Sequence, residues 1–180
     1  VKSYKKAAKI WKRAVELGDV RAMNGLGLLY NNGSGVKLDK KKASQLYRMA
    51  ADRGMAKAQY SLANNVRAEG RFEEAVTFYR AAAAQGFTIA EHSLGMCYMK
   101  GEGVEKDLDE CRRWWMLAAA KGHGAAMANI GALYHQGVGV EFDLDEARRW
   151  YDRAAAAGKP PSAFFLRDLD ARIAARTAHG

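Results

Sequence analysis

The chain has 180 residues, of which 49% are hydrophobic, and a net charge of +9, enough apolar content for one domain's core. No run of about 20 apolar residues occurs, which excludes a membrane-spanning helix in these residues. Two cysteines, Cys97 and Cys111, are too few for a disulfide framework or a cysteine metal site.

The only prolines are Pro160 and Pro161, so nothing breaks helical hydrogen bonding before them. Residues 1–19 read as a basic helix, with Lys2, Lys5, Lys6, Lys9, Lys12 and Arg13 all preceding the first acid, Glu16. The chain opens at Val1 already in helical phase, as expected of a piece of a longer protein. Ala7, Trp11, Ala14 and Gly18 lie 36 residues before Ala43, Tyr47, Ala50 and Gly54, which makes this helix the second half of a partial repeat.

Residues 20–55, 56–87, 88–123 and 124–159 then write one framework four times. Ala22, Ala58, Ala90 and Ala126 open the copies, 36, 32 and 36 residues apart. Four residues on stands Leu26, Leu62, Leu94 or Ile130, followed by the small Gly27, Ala63, Gly95 or Gly131. The second half carries a large tandem, Leu46-Tyr47, Phe78-Tyr79, Trp114-Trp115 or Trp150-Tyr151, then two alanines and a closing glycine, Gly54, Gly86, Gly122 or Gly158. These spacings predict two antiparallel helices per repeat, with large side chains of one set against small residues of the other. The closing glycines are predicted to stop helices in the left-handed conformation.

Between the paired helices lie Gly33-Ser34-Gly35-Val36, Gly101-Glu102-Gly103-Val104 and Gly137-Val138-Gly139-Val140, followed by Asp39, Asp107 and Asp143. The glycines allow a tight turn, the valine plugs the hairpin end and the aspartate is predicted to cap the second helix. A phosphate cradle is the poorer reading, because no strand precedes these loops and no Gly-Lys-Ser/Thr follows.

Leu26-Gly27-Leu28-Leu29-Tyr30, Gly33-Ser34-Gly35-Val36, Asp39, Lys42-Ala43, Leu46-Tyr47 and Ala50-Ala51-Asp52-Arg53-Gly54 resemble the Sel1-like repeat, a tetratricopeptide relative. The resemblance covers nearly the whole chain. It implies an all-α fold, an α/α superhelical solenoid of helix-turn-helix repeats in one domain over 1–180, used as an adaptor in protein assemblies.

Repeat 56–87 departs from the rule: Ala68-Glu69-Gly70-Arg71 replaces the Gly-Val-Asp loop, four residues shorter. The expectation is a local change of the hairpin end without added binding surface. At the other end Pro160-Pro161-Ser162 begins a last helix over 160–180, expected to cap the array, with Leu166 and Leu169 in the slots of Ile130 and Leu133.

Comparison of the repeats separates framework from freedom. On the first helices the stripe opposite the framework changes completely: Asn24, Leu28 and Asn31; Tyr60, Asn64 and Arg67; His92, Met96 and Met99; Ala128, Ala132 and His135. Side by side these residues are expected to line the surface that is concave in the resembling families, and Asn24, Leu28, Asn31, Tyr60, Asn64, Arg67, His92, Met96, Met99 and His135 are the candidate contacts for a protein or peptide partner. The four tryptophans fall in framework slots, as do Cys97 and Cys111, expected as core thiols close enough in one hairpin for a disulfide in an oxidising compartment. His123 shares its slot with Met55 and Phe87 and is expected to pack at a hairpin junction.

The basic first helix and the pairs Arg112-Arg113 and Arg148-Arg149 raise a second reading, binding of nucleic acid or an anionic surface. The neighbouring Asp109, Glu110, Asp145 and Glu146 break up that field, so nucleic acid is not the expected partner. A hydrolase-type activity is the third reading, but no nucleophile stands beside a base: His92 and Cys97 are about 140° apart around their helix. No catalytic residue, cofactor or metal ligand is assigned, and a monomeric scaffold is the expectation.

Overall fold

The structure is a computed structural model and describes residues 2–161 and 163–178. Ten α-helices and no strand occur among the described residues: α1 (Lys2–Glu16), α2 (Val20–Asn32), α3 (Lys40–Ala51), α4 (Ala56–Ala68), α5 (Phe72–Ala84), α6 (Thr88–Lys100), α7 (Leu108–Ala120), α8 (Gly124–Gln136), α9 (Leu144–Ala156) and α10 (Ala163–Ala178). They fall into two compact units, the first made of 1–90 with 102–104 and the second of 91–101 with 105–180.

Local chemistry sets the helix boundaries. Asp39 Oδ1 accepts from the Lys42 N–H at 2.9 Å, and Asp107 and Asp143 each accept from two N–H groups of the following first turn, all at 2.9 Å. Such a cap contributes about 1 kcal/mol. The predicted stops also form: Gly18, Gly54, Gly86, Gly122 and Gly158 have φ between 74° and 83°. Each glycine N–H donates three residues back and the next N–H five back, as in Gly54 to Ala51 at 2.9 Å and Met55 to Ala50 at 3.2 Å, so the last carbonyls of α1, α3, α5, α7 and α9 are satisfied. Pro160 and Pro161 precede α10, and Ser162, the third residue of its predicted start, lies outside the described residues.

In unit one α2 packs on α1 and α3, and α4 on α3 and α5. The small slot is where aromatic rings approach the backbone. A Cβ added to Gly27 would stand 2.8 Å from Tyr47 Cε1, and one added to Gly25 would stand 2.9 Å from the Trp11 ring. In unit two α8 packs on α7 and α9, and α9 on α10. A Cβ on Gly131 would stand 2.6 Å from Tyr151 Cδ1, and one on Gly95 would collide with the Trp115 ring. Trp115, Tyr151 and Trp150 are buried, so they are framework as their slots predict. Cys97 and Cys111 are both buried thiols.

The glycine loops have a second role. Each rests on the start of the second helix of the preceding repeat: Gly35 on the backbone of Tyr4 and Lys5, Gly103 on that of Phe72 and Glu73, and Gly139 on the Leu108 side chain. A Cβ at Gly35 would lie 2.5 Å from the Tyr4 carbonyl carbon, a close approach available only to glycine. The Gly139 carbonyl also accepts from Arg112 Nη1 at 2.9 Å.

Candidate protein-binding faces

The variable stripe of unit one starts on α2. Leu28 is 43% exposed and Asn31 half-buried, but Asn24 is buried at 7% exposure with its Oδ1 unsatisfied. Asn24 is therefore withdrawn from the contact set: α2 is flanked by α1 and α3, and the Trp11 ring lies over the adjacent Gly25. On α4, Tyr60 is half-buried, its ring 5.9 Å from that of Tyr79 and 5.5 Å from that of Phe87. Asn64 is exposed and accepts from the Tyr79 hydroxyl at 2.6 Å. Arg67 donates through Nε and Nη2 to one Glu102 oxygen, at 2.8 and 2.6 Å. Framework residues thus fix the orientation of all three α4 side chains, which lowers the entropy lost when a partner binds.

In unit two, His92, Met96 and Met99 on α6 are half-buried. Asn129 Nδ2 lies 3.0 Å from His92 Nε2 and 3.6 Å from Met96 Sδ. Since the amide can only donate, His92 Nε2 accepts and the ring is neutral. Burial, with the His123 ring beside it, pushes its pKa down to about 4. A cleft of about 240 Å³ opens here between Met96, Met99, Trp115, Asn129, Ala132 and Gln136.

His135 is the second withdrawal. It is 2% exposed, its Nδ1 lies 3.3 Å from the Tyr151 hydroxyl and its Nε2 2.9 Å from an Asp168 oxygen. The helix α10 brings Phe165 and Asp168 over it, so the last repeat's stripe is closed at this residue by the following helix. His123 does more than pack: its Nδ1 accepts from the Ala126 N–H at 3.2 Å and caps α8, the role Asp19 plays in the same slot for α2.

Cys111 and the paired arginines are otherwise engaged, while Lys5, Lys6 and Lys9 of α1 stay exposed. Burial pushes the Cys111 thiol up to about 12, with Asp107 acting in the same direction, so it is no thiolate nucleophile at neutral pH. Arg112 pairs with Asp109 at 2.8 Å, Arg113 with Glu110 and Arg149 with Glu146 at 2.9 Å, and Arg148 with Asp170. Among the described residues no three His, Cys, Asp or Glu side chains gather to hold a metal ion, and no helix is long and apolar enough to cross a membrane.

The expectation that the short second turn adds no surface is overturned. A cleft of about 800 Å³ opens beside it, with Lys41, Ser44 and Arg48 of α3 on one wall, Glu69 and Arg71 on the other, and Leu62 and Val66 at its floor. In the other repeats the glycine loop reaches back over the preceding second helix, and four missing residues leave α3 without that cover. The sequence carries a signal for this. The first turn of α3 opens on Lys40 where the loop-covered α1, α5 and α7 carry Tyr4, Phe72 and Leu108; Lys41 and Lys42 follow it, as Lys5 and Lys6 follow Tyr4, while α5 and α7 have acids there. Cations there oppose the helix dipole, at about 0.3–1 kcal/mol each.

The ten helices of the described residues, joined by short turns, with small-against-large packing repeated in register, define an all-α helical-repeat protein of the solenoid class. The Sel1 repeat family matches residues 1–19, 20–55, 56–87, 88–123 and 124–159, and the chain belongs to that family. Two solved structures are similar over most of the chain. A Sel1 repeat protein from Oxalobacter formigenes is 31% identical, with TM-score 0.79 over 86% of this chain and 65% of that one. The protective antigen c5321 of uropathogenic Escherichia coli, which displays this fold, is 34% identical, with TM-score 0.78 over 83% of this chain and 33% of that one. Among curated proteins, a putative sel1-like repeat-containing protein, L21, of Acanthamoeba polyphaga mimivirus is 28% identical over 91 residues, 51% of this chain but only 17% of that protein. Proteins of this family are generally non-catalytic scaffolds for protein–protein interaction.

Proposed function

We propose that the chain holds a partner protein or peptide on its first-helix faces, that of unit one through Leu28, Asn31, Tyr60, Asn64 and Arg67 and that of unit two through His92, Met96 and Met99. One observation carries this reading: these slots change from repeat to repeat while their helical neighbours are held to the framework, and they keep exposed or half-exposed side chains. Aromatic, methionine and arginine side chains on rigid helices favour a peptide or helix as the occupant.

The test is affinity capture with the whole chain, compared with Leu28→Arg and Met99→Arg. Proteins retained by the parent and lost from either variant, with unchanged thermal unfolding, support the reading. An identical set from all three chains contradicts it.

A further inference from the structure

The cleft beside the short turn is separate from the first-helix face, and its shape and charge indicate what fills it. On α7, the Gly139 loop covers Leu108 and takes a hydrogen bond from Arg112. The same slots on α3 are Lys40 and Ser44, and Ser44 lines the cleft. The cleft thus overlies the footprint that a backbone loop occupies two hairpins further on.

Its walls carry Lys41, Arg48 and Arg71, with Lys40 and Lys42 exposed beside them. Arg48 pairs with Glu74 at 2.5 Å, and Arg71 with Glu74 and with Glu69, so the uncompensated charge at the rim is that of Lys40, Lys41 and Lys42. The Ser44 hydroxyl accepts from Asn65 Nδ2 at 3.0 Å and ties α3 to α4 across the base. The accessible apolar surface is Met49, 38% exposed, with Leu62 and Val66 buried beneath the cleft.

We propose that this cleft docks an acidic segment of a partner protein, an extended stretch whose single apolar side chain rests on Met49 while its carboxylates meet Lys40, Lys41 and Lys42. The segment takes the place that a backbone loop holds on the other helices, and its carboxylates answer the unpaired lysines. The proposal does not depend on the first-helix face, so the two can fail separately.

The probe is the fluorescein-labelled heptapeptide Gly-Glu-Asp-Val-Glu-Asp-Gly, titrated with the whole chain and followed by anisotropy. Saturable binding is expected, weakened by salt and by at least about tenfold in the double variant Lys41→Glu with Gln45→Glu. Both positions are exposed, and at Lys41, in the first turn, an acid favours the helix, so unchanged thermal unfolding of the double variant separates lost binding from lost folding. Replacing residues 68–71 with the eight residues of 100–107 restores the longer loop and is expected to abolish binding. Tyr60→Ala and Met96→Ala, which probe the first-helix face, are expected to leave it unchanged.

The proposal is overturned if the peptide fails to saturate, or if the double variant binds it as well as the parent. It is equally overturned if a peptide with alanine for valine, or with lysines for the acids, binds as tightly. An oligouridylate that displaces the peptide at lower concentration would assign the cleft to nucleic acid, and self-association abolished by the same variants would assign it to a second copy. Either result rejects the acidic segment.

Discussion

The turn at 68–71 and the turn at 137–143 connect equivalent helices, yet they leave different surfaces. The longer turn sends Gly139 back over Leu108, while the shorter one stops at Arg71 and leaves an open cleft over α3. Four residues at a hairpin end therefore decide whether the start of the preceding helix is framework or free surface. One slot records the outcome: Tyr4, Phe72 and Leu108 lie under a glycine loop, and Lys40 stands in that slot on α3.

The largest effect is expected where both kinds of repeat share the same packing. Gly131→Val puts a side chain into the Tyr151 ring, and a loss of about 3 kcal/mol is expected in urea unfolding. Ala63→Gly, at the same slot in the short repeat, is expected to cost only about 1 kcal/mol, the helix-propensity difference. A larger loss at Ala63 would mean that the short repeat packs by a different rule.

Lys121 tests a feature that the repeat pattern does not contain. Glu91 is buried at 2% exposure in a slot that holds Met23, Gln59 and Met127 elsewhere, and Lys121 Nζ reaches it at 2.5 Å. Lys121→Ala strands a buried carboxylate, with an expected loss of about 2 kcal/mol in thermal unfolding. Adding Glu91→Gln is expected to recover part of it.

His92 gives a pH test. The folded chain keeps it neutral down to about pH 4, whereas the unfolded chain protonates it near pH 6.5. Its contribution is complete above pH 6.5 and is lost as the pH falls towards 4; the full shift corresponds to about 3 kcal/mol, which the ring's partial exposure reduces to about 1–2 kcal/mol in urea unfolding at the two pH values. His92→Gln is expected to remove that part of the pH dependence. The smallest effect sharpens the comparison of turns: Lys41→Asp is expected to stabilise by about 0.5 kcal/mol, bringing α3 into line with its counterparts.

Most of the fold can be read in the sequence because each signal is local and repeated. A glycine that stops a helix and an aspartate that caps one act within four residues, and copies 36 residues apart confirm them. The stripe proposed as the binding face was drawn from the same repeats. Asn24 and His135 escaped because their burial depends on neighbouring helices, α1 with α3 in one case and α10 in the other. The cleft escaped because a deletion was judged by the residues it lacks, while its consequence falls on a helix some 30 residues earlier. The Lys40-Lys41-Lys42 run marked the place, but only contact between repeats explains it.

The most direct measurement is a double-mutant cycle between position 40 and the turn, read as unfolding free energy. Grafting residues 100–107 in place of 68–71 should bring cover over α3, so Lys40→Leu is expected to be neutral in the parent and stabilising by about 1 kcal/mol in the graft. Equal effects in both backgrounds would contradict the claim that the length of this turn sets whether α3 is covered.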